Sequence, residues 1–373
     1  MSWILDEEHR LLSDSAAAFL AARAPVAQLR ALRDADDERG YDPALWRAFA
    51  EQGYSATLVP ESHGGLGLGV TEAGLVAERI GHQLAAVPFF STAVLAAWLL
   101  RSAGSAPQQR AWLPRVATAQ TVLALAVDER SRHRPDAIAT RSRLERDGWR
   151  LDGEKLFVVD GHVAEALIVA ARAERGVVLL LVPAAAPGVA IERTPMVDAH
   201  NAARVRLAGV RLPADALLGS VEQGRSLLEG ALDVGRAVAA AELLGLADEV
   251  FERTVDYLKQ RQQFERPIGE FQALQHRAAE LYCDLELTRA IVRQALRALD
   301  TGAADAPLRV AQAKARACLT ANRAVQEGVQ MHGGIGMTDE LEIGFFMKRA
   351  RVLQELFGDA SFHADAAARL AGY

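Results

Sequence analysis

Two cysteines in 373 residues, Cys283 and Cys318, are too few and too widely spaced for a disulfide framework or a thiolate metal site. A reducing, cytoplasmic setting is the expectation. Positive charge is not in excess either: 42 Lys and Arg against 48 Asp and Glu give a net charge of −6. Arginine-rich stretches run from Arg130 to Arg141 and from Arg349 to Arg351, but that balance argues against a nucleic-acid-binding protein. The most apolar window, Leu84 to Leu100, is broken by Pro88, Ser91 and Thr92. It falls short of the roughly 20 residues needed to span a bilayer, so it reads as a buried helix and no membrane insertion is expected. The acidic opening of Asp6, Glu7 and Glu8 precedes no apolar stretch of the secretory kind. There is no HExxH helix, nucleophile elbow, Walker loop or CxxC pair, so no metal is expected.

What is present is a chain longer than the roughly 250–300 residues at which one core stops growing, with ordinary globular composition. Asp42 then Pro43 marks a helix start, and Ser91 precedes another apolar run ending near Gly104. A helical region over residues 1–118 follows. From Thr121 the texture turns to short strands, with Asp147-Gly148 and Asp152-Gly153 as turn signals and Val177 to Val182 an apolar strand. That gives a β-domain over 119–224. Helical periodicity then returns through Phe251, Val255 and Leu258, through Leu274, Ala278, Leu281 and Leu285, and through Ala311, Ala315, Cys318, Asn322 and Val325. Three long helices in succession predict a C-terminal bundle over 225–373.

Three segments carry the functional signal. The string Val59-Pro60-Glu61-Ser62-His63-Gly64-Gly65-Leu66-Gly67 is glycine-rich but follows no clean strand, which disfavours a dinucleotide loop. Arg261-Gln262-Gln263-Phe264-Glu265-Arg266-Pro267-Ile268-Gly269 precedes Phe271-Gln272; alone, its first arginine reads as a helix-end cap. Gln330-Met331-His332-Gly333-Gly334-Ile335-Gly336 reads as a helix terminus that also leaves room for a ligand. Taken in order, the three resemble the acyl-CoA dehydrogenase family, over nearly the whole chain.

The resemblance implies a helical, β-barrel-like and four-helix-type architecture (α+β), assembled as a dimer of dimers, with FAD as cofactor and acyl-CoA as substrate. It implies that Arg261 meets the FAD pyrophosphate and that Phe264 packs near the adenine end. It implies further cofactor contacts from Gln263, Gln272, Gln330, Gly333 and Gly334, reaching across a subunit interface. Arg236 and Gly358 match substrate-side positions. Electrons would pass to an electron-transfer flavoprotein.

Family chemistry removes an α-proton with a carboxylate, which must sit in reach of that proton at a suitable pKa. Aligned on Gln354 and Gly358, the base position holds Phe357, and the alternative position used by some relatives holds Gly235. Asp359, Glu355 and Asp233 are the nearby candidates for a relocated base. The segments that match the family's flavin-edge ligands read Val127-Asp128-Glu129, Arg132-His133-Arg134 and Phe157-Val158-Val159-Asp160, so expected hydroxyls are replaced by valine and histidine. Three readings follow: an FAD-linked acyl-CoA dehydrogenase with a relocated base, a non-catalytic or half-site subunit of a heteromeric dehydrogenase, or an oxidase or monooxygenase on the same scaffold; the assembly expected is a homotetramer or a heterotetramer with a catalytic homologue.

Overall fold

The computed structural model describes residues 5–373. Six helices come first: α1 (Glu7–Arg23), α2 (Val26–Asp34), α3 (Pro43–Glu51), α4 (Val70–Gln83), α5 (Ala97–Ala103) and α6 (Ala106–Ala117). Their starts are written in side chains. Asp6 accepts from the His9 N–H at 2.9 Å, Asp42 accepts from Ala44 ahead of Pro43, and Ser105 with Gln108 forms a reciprocal capping box. Eight strands follow: β1 (Leu123–Ala126), β2 (Arg141–Glu145), β3 (Gly148–Val159), β4 (Ala166–Ala173), β5 (Gly176–Pro183), β6 (Val189–Pro195), β7 (Asn201–Leu212) and β8 (Leu217–Leu218). Next come α7 (Gly224–Gln260), the short strands β9 (Gln262–Gln263) and β10 (Arg266–Pro267), α8 (Gln272–Asp300), α9 (Ala306–His332), α10 (Ile343–Glu355) and α11 (Ala360–Leu370). The helical, β, helical order matches the expected architecture. No helix among the described residues is long and apolar enough to cross a membrane.

The chain folds into two units. One comprises residues up to Ala31, Val70–Ala85 and Arg236–Tyr373; the other comprises Leu32–Gly69 and Ala86–Gly235. In the second unit the sheet runs β6-β7-β3-β2-β4-β5-β8, with β1 added in parallel to β4. Inward residues such as Leu151, Leu167, Val169, Leu180 and Val205 form its core. Thr92 both accepts from the Leu123 N–H and donates to its carbonyl, each at 3.0 Å, so one hydroxyl stands in for a strand neighbour of β1. In the loop between α3 and α4, a Cβ on Gly65 would lie 2.0 Å from the Val59 carbonyl oxygen, which explains the glycine without any ligand.

In the first unit α4 and α7 cross at backbone contact, because a Cβ on Gly81 would meet the Glu242 carbonyl oxygen at 2.2 Å and one on Gly245 the Glu78 carbonyl oxygen at 1.8 Å. Beside that crossing Arg289 bonds Asp248 at 2.8 Å and Glu78 at 3.3 Å, and Arg349 bonds Glu242 at 2.6 Å. Buried charges here are paired, as the penalty for isolated ones demands.

Three local expectations are corrected. Asp152-Gly153 is no turn: it lies inside β3 at a register shift, where β7 carries one extra residue between Leu207 and Val210. The segment Leu84 to Leu100 is buried but not one helix, since α4 ends at Gln83 and helical structure resumes at Phe89 as a π-helical stretch to Ala96. On α9 the buried stripe runs through Val310, Lys314, Ala317, Ala321, Ala324 and Gly328, while Asn322 is exposed. A lysine occupies a place that an apolar pattern cannot announce.

Candidate functional site

The loop after α10 holds Phe357, the position that the family resemblance assigns to the base. Phe357 is 5% exposed and adopts φ +56, a left-handed conformation uncommon for a bulky residue. Its carbonyl accepts from Arg236 Nε at 3.3 Å and from His363 Nε2 at 3.0 Å. The Arg236 guanidinium also lies over the Phe362 ring, 5.6 Å from its centre. Beneath the loop, the fully buried Lys314 Nζ donates to the carbonyls of Leu353 at 2.8 Å, Gln354 at 3.2 Å and Gly358 at 3.1 Å. Two orphan carbonyls at the end of α10 and one from the loop that follows are thereby satisfied by one side chain. Burial draws the Lys314 ammonium below the usual lysine range and pushes the Cys318 thiol, 3.4 Å away, above its own. Neither Lys314 nor His363 stands out in the sequence, since the apolar periodicity read along α9 passes over the lysine.

Phe357 has no proton-accepting atom in its side chain, and Gly235 has no side chain. Of the three nearby carboxylates, Asp359 caps α11 by accepting from the Phe362 N–H at 2.8 Å, and Glu355 pairs with Arg351 at 2.8 Å. Asp233 is half-buried on α7. Gly358, at φ +107, would meet the Phe362 ring at 2.4 Å if it carried a Cβ, so its glycine answers to packing inside this loop.

The two other motif segments meet at one end of the bundle. Tyr257, near the end of α7, stacks on His332, at the end of α9, with ring centres 4.5 Å apart. His332 is buried and bonds the Gly328 carbonyl at 2.7 Å, and burial holds its imidazole below the usual histidine pKa. Arg261 begins the hairpin of β9 and β10, whose two-residue turn puts Phe264 at φ +55 and Glu265 at φ +63. Asn-Gly is the favoured pair for such a turn, so a Phe-Glu turn is a strained choice. Phe264 is 85% exposed at its tip and meets Phe271 edge-on at 6.1 Å. Gln263, Gln272, Gln330 and Arg261 are also exposed, and no carboxylate among the described residues pairs with the Arg261 guanidinium. Gly333 needs its φ of +66; Gly334 does not have that constraint, and nothing lies within 4 Å of a Cβ built on either. This exposed set of a free guanidinium, amides, an aromatic tip and an open glycine pair fits an adenosine diphosphate group approaching from outside the chain.

The middle-domain segments do not fit a flavin edge. Val127 is buried, and its carbonyl accepts from Lys155 Nζ at 3.0 Å. Lys155, fully buried, also bonds Glu129 at 2.7 Å, and Glu129 accepts from the backbone N–H groups of Ala139 and Thr140. Burial pulls the Lys155 ammonium below its ordinary pKa, with Glu129 opposing. His133 bonds Asp128 at 2.8 Å, and Ser91 donates to Asp160 at 2.6 Å. The polar groups bond one another, and Val127 and Val159 offer no donor. A buried flavin edge left without partners loses about 1–3 kcal/mol per group.

Among the described residues one cluster has metal-ligand composition: atoms of His82, Glu249 and Glu252 lie within 4.8 Å of one another. Arg79 stands 3.3 Å from His82 and Arg253 pairs with Glu249 at 2.6 Å, so cations already occupy it.

Family models for the N-terminal, middle and C-terminal domains of acyl-CoA dehydrogenases match residues 6–120, 124–210 and 222–371. The chain is 31% identical over 331 residues to acyl-CoA dehydrogenase FadE27 of Mycobacterium tuberculosis, covering 87% of each. It is 31% identical over 351 residues to acyl-CoA dehydrogenase IpdE2 of the same organism, covering 92% of this chain and 91% of the relative. Among solved structures, the ChsE4–ChsE5 complex from Mycobacterium tuberculosis superposes with a TM-score of 0.91 at 28% identity, covering 100% of both chains. The Tcur3481–Tcur3483 steroid ACAD gives 0.90 at 32%, covering 98% of both. With fold, motif order and relatives in agreement from end to end, the chain belongs to the acyl-CoA dehydrogenase family of FAD-dependent oxidoreductases that act on CH–CH donors.

Proposed function

We propose that this chain is the non-catalytic partner subunit of a heterotetrameric acyl-CoA dehydrogenase, supplying the adenosine-diphosphate half of an FAD site to a neighbour while its own acyl site is silent. The observation that carries this reading is the asymmetry between the two ends of the chain's cofactor residues. Arg261, Gln263, Phe264, Gln330, Gly333 and Gly334 lie open on the surface, whereas the base loop is packed shut around Phe357. Likeness to a ChsE4–ChsE5 complex, an assembly of two differently named chains, supports a heteromer. Likeness to the Tcur3481–Tcur3483 steroid ACAD supports a bulky, steroid-type acyl-CoA as the substrate to try first. Electron-transfer flavoprotein is the acceptor that the family resemblance implies for the whole assembly.

Arg261→Ala, made in the FAD-bearing assembly, tests the cofactor half directly. Loss of a charge-assisted contact worth about 1.5–3 kcal/mol lowers FAD affinity roughly 10- to 150-fold. Unchanged affinity removes the role. A second reading, an autonomous dehydrogenase, rests on the half-buried Asp233, two residues before Gly235. It requires that Asp233→Asn abolish turnover by the isolated chain without unfolding it.

A further inference from the structure

The solvent face of the middle-domain sheet sets arginine against arginine. Strand register places Arg143 of β2 opposite Arg150 of β3, and Arg150 opposite Arg211 of β7, so three guanidinium side chains share one row across three adjacent strands. In the neighbouring row Arg141 faces Asp152 on one side and Arg172 of β4 on the other. All five arginines are exposed. Strands lie about 4.8 Å apart, so the first row spans roughly 10 Å. Like charges directly opposite one another weaken strand pairing, so stability does not account for this arrangement.

Compensation on the face is slight. Arg150 meets Asp152 at 3.2 Å, and the other oxygen of Asp152 accepts from the Gly209 N–H at 2.7 Å. Glu145, at the hairpin end of β2, is the second acid there. No carboxylate among the described residues lies within ion-pair distance of Arg141, Arg143, Arg172 or Arg211. Further along β7 the pattern differs: Arg204 and Arg206 share Glu154, at 2.6 and 3.1 Å, and Glu192 stands 3.9 Å from Arg206. The same face thus carries neutralised arginines at one end and open ones at the other.

We propose that the open row is a docking surface for an acidic segment of a partner protein. Charge complementarity selects the occupant: a guanidinium fork meets a carboxylate bidentately, and a short run of Asp or Glu matches the row in length. The chain as a whole carries −6, which opposes a long polyanion running past the patch. This surface is independent of the acyl site and of its silence.

The test titrates a fluorescein-labelled polyglutamate peptide into the full chain in dilute buffer, read by anisotropy. Binding is expected, weakened by salt, and cut about tenfold by Arg143→Gln with Arg211→Gln. The charge-matched control, Arg204→Gln with Arg206→Gln, is expected to leave it unchanged. Thermal unfolding of the Arg143→Gln/Arg211→Gln chain should show an equal or higher Tm. If that double variant does not fold, Arg211→Gln alone, at the strand end, gives the same comparison with a smaller loss. Absence of peptide binding by the unmodified chain, or equal losses in patch and control variants, overturns the proposal. So does tighter binding of a labelled single-stranded RNA through the same arginines, which would assign the face to nucleic acid.

Discussion

Phe357 and Lys314 show how differently two residues of one loop announce themselves. Phe357 stands out in the sequence because Gln354 and Gly358 flank it in the order that the family resemblance assigns to the base position, and its side chain cannot take a proton. Lys314 does not, since its role lies in three carbonyls supplied by residues some forty positions away. Lys314→Met keeps the volume and removes the donors. The loss expected is about 3 kcal/mol of unfolding free energy, from several buried carbonyls left unsatisfied, and denaturant titration measures it. A near-zero change would mean that the carbonyls find other donors. Phe357→Glu tests the neighbouring point. Each 1.36 kcal/mol recovered in a barrier is tenfold in rate, but Val127 and Val159 still offer a flavin edge no side-chain donor, so acyl-CoA turnover by the isolated variant should stay at or near background. Rapid turnover after that single change would show the flavin edge to be sound.

Among elements, helices with side-chain caps were readable from the sequence and their interruptions were not. Asp42 and Pro43 start α3 as the pattern says, whereas the π-helical stretch of Phe89–Ala96 and the shift inside β3 depend on tertiary neighbours such as Leu123 and Leu207. The α4–α7 crossing was equally silent, because a glycine in a helix looks like a weak point until the opposing backbone is seen. Gly245→Ala should lower stability by about 1–3 kcal/mol as the helices are forced apart, with a fall in Tm as the readout. Between these helices burial pushes the Asp248 carboxyl up to about 6, with Glu78 adding to the rise and Arg289 and His82 opposing it. Because the folded pKa lies above the unfolded value of 3.8, the folded state holds this proton more tightly. The resulting stabilisation is complete below pH 3.8 and is lost as pH rises through 6, an effect of about 2–3 kcal/mol. Measured against Asp248→Asn across that window, the unmodified chain should lose relative stability as pH rises. A constant difference between the two would remove Asp248 as its source.

For the whole molecule, domain order and family were legible because three motifs recur in a fixed sequence along the chain. What each motif contributes within a single chain was not, since exposure and packing decide it. The open hairpin at Phe264 and the closed loop at Phe357 can only be told apart in three dimensions. The exposed hairpin and glycine pair, if they complete a neighbour's cofactor site as proposed, also give an expectation for assembly: light scattering at micromolar concentration should show an oligomer rather than a monomer once the partner is present. The most direct measurement purifies this chain alone and records flavin absorbance, flavin-to-chain stoichiometry and bleaching by a panel of short, long and steroid-type acyl-CoAs. The account predicts little or no bound flavin and no bleaching; one flavin per chain that bleaches rapidly with an acyl-CoA would contradict it.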